Sequence, residues 1–81
     1  MKKIYILTAY NLKQGYYINK AYFTSYNKAL KSKEYLINYL IENHSLNKNN
    51  IENNINSTIL DNSYNVTLLK ETIKTQIIKF I

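Results

Sequence analysis

The chain predicts an α+β two-layer domain: a small, mainly antiparallel sheet of four to five strands packed against one long helix, in ββαββ-like order. Three observations predict it. Residues 24–44 repeat their apolar side chains at the helical period. Two runs rich in β-branched and aromatic residues, 4–10 and 16–23, flank the only Gly in the chain. Shorter alternating runs then follow an Asn-rich polar stretch.

Taken in order, residues 4–10 carry apolar side chains at both parities, as expected of a strand covered on both faces or lying centrally in a sheet. They are read as the first and central strand. Residues 11–15 make a turn in which Gly15 supplies the left-handed position that closes a hairpin. Residues 16–23 return, with Tyr17, Asn19, Ala21 and Phe23 on one face and Tyr16, Ile18, Lys20 and Tyr22 on the other. Ala21 and Phe23 are expected to meet the helix, which leaves Tyr16 and Tyr22 on the far side. Ser25 stands at the expected N-cap, its hydroxyl able to accept from a first-turn N–H, and Thr24 offers the same one residue earlier.

The helix is expected to begin near Tyr26 and run for about eighteen residues. Its buried stripe is Ala29, Leu30, Leu36, Ile37, Leu40 and Ile41, with Tyr26 at the start, His44 at the end and the Lys33 stem lying along the core edge. The helix should stop where Asn43, His44, Ser45 and the following Asn residues offer side chains that compete for backbone hydrogen bonds. Residues 44–54 read as a loop, 55–60 as a strand, Asp61-Asn62-Ser63 as a turn, and Tyr64, Val66 and Leu68 as alternate residues of a further strand. Beyond Leu69 two patterns compete. Leu69, Ile73, Gln76, Ile77 and Phe80 mark a helical stripe, whereas Ile73, Thr75, Ile77, Lys79 and Ile81 alternate as in a strand. Ile78 falls off that stripe, and Thr72 and Thr75 weigh towards extension. Such a C-terminal strand, without Pro and blunted only by Lys74 and Lys79, leaves an edge through which a homodimer or a partner could pair.

Eighty-one residues make one domain, 1–81, burying about 60 to 65% of its unfolded surface. Cys is absent, so the fold has no disulfides or thiolate ligands and relies on packing or self-association. Met1-Lys2-Lys3 and the following apolar run are too short for a secretion signal and are followed by no small-residue cleavage site; no segment reaches membrane-spanning length. The expectation is a soluble cytoplasmic protein with no membrane partner. The net charge of +6 points towards polyanions. All eleven cations are Lys, however, and Lys, Asn, Ile and Tyr share A/T-rich codons, so genome composition alone could produce this basicity. Without Arg the chain also lacks the bidentate donor most used for reading guanine.

No catalytic motif appears. His44 is the sole histidine, and one imidazole without Cys makes no typical metal site, which leaves it a helix-end or core-edge role. Glu34, Glu42, Glu52, Asp61 and Glu71 are scattered, with no local spacing that pairs two carboxyls. No Gly-flanked nucleophile exists, and a single Gly excludes phosphate-cradling loops in their known forms. Asn43-His44-Ser45, Asn56-Ser57-Thr58 and Asn65-Val66-Thr67 match the glycosylation acceptor pattern, which means nothing without secretion. The reading is therefore a non-enzyme with no catalytic residues, no cofactor and no metal.

Tyrosine is the enrichment that remains, with nine in the chain. Tyr supplies contact area at low rotamer cost together with a hydroxyl, which is what recognition surfaces use. Tyr35 and Tyr39 lie one turn apart on the helix side opposite the stripe, with Lys28, Lys31, Ser32 and Glu42 around them. Lys28, Lys31 and Lys33 crowd the positive end of the helix dipole and Glu42 sits at its negative end, each unfavourable by roughly 0.3 to 1 kcal/mol. One functional reading is an anion site at the helix start; the plainer one is a solvated face. The candidate partner-binding residues are Tyr35, Tyr39, Lys28, Lys31, Tyr16, Tyr22 and Lys20.

Lys3-Ile4-Tyr5-Ile6-Leu7, then Ala21-Tyr22-Phe23-Thr24-Ser25 leading into Lys28-Ala29-Leu30, resembles a group of small uncharacterised phage and bacterial proteins. Those open on a Tyr-containing strand, return on one ending in Phe-Ser/Thr-Ser/Thr, and enter a helix through a Lys-Ala pair. The likeness covers about the first 43 residues; the Asn-rich loop and Lys-rich C-terminus match nothing in the group. It implies a mobile-element origin and transfers no functional residue. Two functions follow as expectations. One is a phage-encoded inhibitor of a host defence complex, such as a CRISPR effector, that occludes a protein surface. The other is a nucleic-acid-binding accessory domain using Lys and Tyr.

Overall fold

The computed structural model describes residues 2–73, so the competing patterns over 74–81 lie outside the described residues. Five antiparallel strands and one helix follow the order β1 (Lys2–Asn11), β2 (Tyr16–Phe23), α1 (Tyr26–Asn43), β3 (Ile51–Asn53), β4 (Ser57–Leu60) and β5 (Tyr64–Ile73). In the sheet the strands lie β2-β1-β5-β4-β3. β1 is an interior strand, between β2 and β5, while β5 holds the centre, and β1 pairs with β5 along its whole length.

Helix and sheet meet through one face. Leu7 and Ala9 of β1, Leu60 of β4, and Tyr64 and Val66 of β5 pack against Leu40 and Ile41 of α1, with Phe23, Leu36, Ile37 and Leu68 at the margin. The Ser25 hydroxyl accepts from the Lys28 N–H at 3.4 Å, so the predicted cap starts the helix. Its end is set by the backbone: Ser45 turns left-handed at φ 51° and the Leu46 N–H reaches back to the Ile41 carbonyl, closing the helix in the manner of a Schellman cap. Leu46 then folds onto the core.

Several expectations need correction. The stretch 44–54 is not wholly loop, because Ile51 pairs with Leu60 and packs on the core, making β3 out of an otherwise polar sequence. Ile55, expected in a strand, lies in the β3–β4 turn and is 97% exposed. Tyr26 and His44 stand outside the buried stripe. The Tyr26 ring rests on Tyr5 with centroids 5.3 Å apart, and His44 lies against Tyr64 at 4.9 Å.

The faces of β2 are also rearranged. Ala9 pairs with Asn19, but Tyr10 pairs with Tyr17, so Ile18 is one residue too many. Such a bulge switches the side of every residue beyond it. Tyr17 joins Tyr10 on the open sheet face, edge to face at 4.9 Å. Ile18 moves to the helix side. Tyr16 pairs with Asn11, which faces Tyr64 on the helix side, so Tyr16 and Tyr22 do not share a face.

Candidate protein-recognition surface

Helix phase decides what α1 shows outwards. With Ala29, Leu40 and Ile41 buried, Tyr35 and Tyr39 must point away, and they are 72% and 52% exposed. Their rings stack at 6.4 Å with planes 20° apart, an i,i+4 pair that holds both side chains in one orientation. Lys28, Lys31 and Glu42 occupy the same outward strip, so it runs from cationic through aromatic to acidic.

Between this strip and β2 lies a groove of about 400 Å³. Its floor is Leu7 and Leu40, its sheet wall Ile18, Ala21 and Phe23, and its helix rim Tyr35, Leu36 and Tyr39. The lining is mainly apolar, with Asn19 and Ser32 as its polar members. Ile18 is there only because of the bulge, which is why strict alternation misses it. β2 is also an edge strand, so one side of its backbone is free of any strand among the described residues.

The other predicted residues fall around the same edge. Lys20 and Tyr22 lie on the open face, with the Lys20 ammonium 5.9 Å from the centre of the Tyr22 ring. Tyr16, at the start of β2, donates its hydroxyl to Gln14 Oε1 at 2.6 Å. Of the ten exposed large hydrophobics among the described residues, Tyr16, Tyr17, Ile18, Tyr22, Tyr35 and Tyr39 belong to β2 or to the helix face beside it. That concentration makes the β2 edge the candidate site.

Three other depressions lie on the described surface. His44, Asp61 and Ser63 line one depression, a grouping that could suggest nucleophilic catalysis. Each group is engaged elsewhere. The Asp61 carboxylate accepts from the Asn47 N–H and from the Asn50 amide, both at 3.0 Å. The Ser63 hydroxyl donates to the Asp61 carbonyl, and His44 Nε2 faces the Tyr64 hydroxyl at 3.3 Å. The Asn47 hydrogen bond, then that from Asn50, and the Lys13 charge hold the Asp61 carboxyl below its ordinary pKa, as befits a carboxylate that ties a loop to a turn. Among the described residues no group of three or more His, Cys, Asp or Glu is placed to hold a metal.

On the opposite flank of α1, Tyr5, Tyr26, Leu30 and Leu68 line a second groove of about 420 Å³, with Lys33 and Lys70 on its walls. The open sheet face carries both a cation, Lys20, and an acid, Glu71, around paired Thr8 and Thr67 hydroxyls. Among the described residues no helix is long and apolar enough to cross a membrane. Three comparisons with known proteins add nothing to this geometry: no family model, no curated protein and no solved structure matches the chain.

Proposed function

We propose that this is a non-enzymatic binding protein that occludes a surface of another protein through its β2 edge. The partner proposed is a host defence complex, of the CRISPR-effector kind, on the ground of small size, no catalytic motif and Tyr-rich exposed faces. One observation carries the reading: among the described residues, six of the ten exposed large hydrophobics gather along a single edge beside a mainly apolar groove. Aromatic residues around a central apolar depression are the usual composition of a recognition patch. The test is capture of host proteins on the tagged chain, read by mass spectrometry, beside the Tyr35→Ala/Tyr39→Ala variant. A partner held by the parent and lost from an equally stable variant supports the reading. A partner held equally by both removes the helix face from the site.

The nucleic-acid reading finds its footing on the other flank, where Lys33 and Lys70 stand over Tyr5 and Tyr26. There a stacked base and its phosphate would meet rings and cations together. Electrophoretic mobility of single-stranded oligonucleotides at two salt concentrations checks it. A shift at low salt that weakens with salt and with Lys33→Glu is required.

A further inference from the structure

Two apolar patterns break at the same place. The inward side of β5 alternates Tyr64, Val66 and Leu68 and then gives Lys70, while the stripe of α1 runs Ala29, Leu30 and then Lys33 before Leu36 and Ile37. Both cations line the groove of about 420 Å³ between α1 and the β3–β4 turn. Lys33 is half-buried, unlike Lys28 and Lys31, which are exposed. Among the described residues no acid lines this groove, so its two charges meet no carboxylate there. Rings stand beside them. Lys70 pairs with Tyr5 across the β1–β5 ladder, and the Tyr5 ring rests on Tyr26 with centroids 5.3 Å apart. Those two rings already touch, so the stacking surface left free is that of Tyr26, which is 51% exposed. The turn supplies the other bank through Ile55, 97% exposed. Backbone hydrogen bonds hold that turn in place: the Asn54 N–H donates to the Ser57 carbonyl at 2.8 Å and the Leu68 N–H to the Asn56 carbonyl at 3.0 Å. An aliphatic side chain this exposed adds nothing to the core, yet it is fixed against the groove.

We propose that this groove binds a nucleoside 5′-monophosphate unit, its base between Tyr26 and Ile55 and its phosphate on Lys33 and Lys70. The inference rests on the nucleic-acid reading of this flank and narrows it from a running strand to one nucleotide with a terminal phosphate. Size and charge select that ligand. A groove of about 420 Å³ lies at the small end of ligand pockets, with room for one nucleotide rather than a strand. A terminal phosphate carries about −1.5 to −2 charge at neutral pH, which two Lys residues match, whereas a phosphate inside a strand carries only one. Contacts from Lys to phosphate are charge-assisted, and a base stacked on Tyr adds affinity whatever its identity. A free nucleotide and the phosphorylated 5′ end of a single strand offer the same chemistry.

Isothermal titration calorimetry of the whole chain with adenosine 5′-monophosphate, adenosine and inorganic phosphate tests this. The monophosphate should bind about tenfold or more tightly than either of the others, because only it engages ring and cations together. Lys33→Gln/Lys70→Gln should bring it to the level of adenosine. Ile55→Ser should weaken both the monophosphate and adenosine while leaving the melting temperature where it was, since Ile55 lies outside the core. A monophosphate bound no more tightly than adenosine, or bound equally by the double Lys variant, overturns the inference. Electrophoretic mobility of one single-stranded oligonucleotide, with and without a 5′-phosphate, separates the two sources and the two readings. A shift that needs the 5′-phosphate supports the site and extends it to strand ends. Equal shifts of both forms, with no binding of the monophosphate, sink the inference and keep the strand reading. A monophosphate that binds where neither oligonucleotide shifts does the reverse.

Discussion

Gly15 closes the β1–β2 turn at φ +79°, with its N–H bonded to the Asn11 carbonyl at 2.8 Å. The Asn11 side chain accepts from the Lys13 and Gln14 amides as well, so one Asn and one Gly define the turn. A Cβ at Gly15 would meet the Tyr10 hydroxyl at an ordinary 3.6 Å, so space is not the objection to a side chain there. The backbone angle is. Gly15→Ala should cost about 1 kcal/mol by chemical denaturation, the penalty for an L-residue in the left-handed region. Asp61 makes a prediction of a different kind. Its folded pKa is lowered, first by the Asn47 hydrogen bond. Its contribution is therefore present above the ordinary carboxylate pKa and fades as pH falls through the lower folded value. Asp61→Asn should flatten the fall of melting temperature with acid between about pH 6 and pH 2, and a variant that declines as steeply as the parent would refute the role.

At the level of the elements, α1 and β2 were legible to the residue in their extent, and for good reasons. A capping Ser and a run of periodic apolar residues are local signals, and both decide boundaries within one turn of chain. Its outward aromatic pair was legible too, since phase alone places Tyr35 and Tyr39 once the stripe is known. What was not legible depends on contacts across the sheet. The bulge at Ile18 arises in the register between β1 and β2, and nothing in the order Tyr16-Tyr17-Ile18-Asn19 announces it. β3 exists because Ile51 finds Leu60 and the core, although its neighbours have the composition of a loop. The helix end is a case between the two: its position was read from polar side chains, while a left-handed Ser45 makes the stop. Ser45→Gly should accordingly raise stability, by about 0.5 to 1 kcal/mol, because Gly adopts that angle without a steric penalty. No change in denaturation midpoint would mean that the strain is relieved elsewhere.

For the molecule as a whole, the sheet carries its helix on one side and, among the described residues, nothing on the other, so their core is thin and much of their apolar surface remains outside. Among the described residues the cations around these surfaces are dispersed. Lys28 and Lys31 lie on the outer helix, Lys33 and Lys70 on one flank, and Lys20 on the open face. This dispersion is why the charge is a poor guide to function here and the distribution of tyrosines a better one. The pairing of β1 with β5 has a further bearing on how the protein forms. Thr8 and Thr67, 59 residues apart, face each other near the middle of the sheet. The hairpin and helix made first during synthesis thus wait beside a vacant lane until β5 emerges from the ribosome. Through that interval the nascent chain displays sticky backbone on both margins of β1β2, and its survival in the cell is a race between late zipping and capture by chaperones or by neighbouring chains.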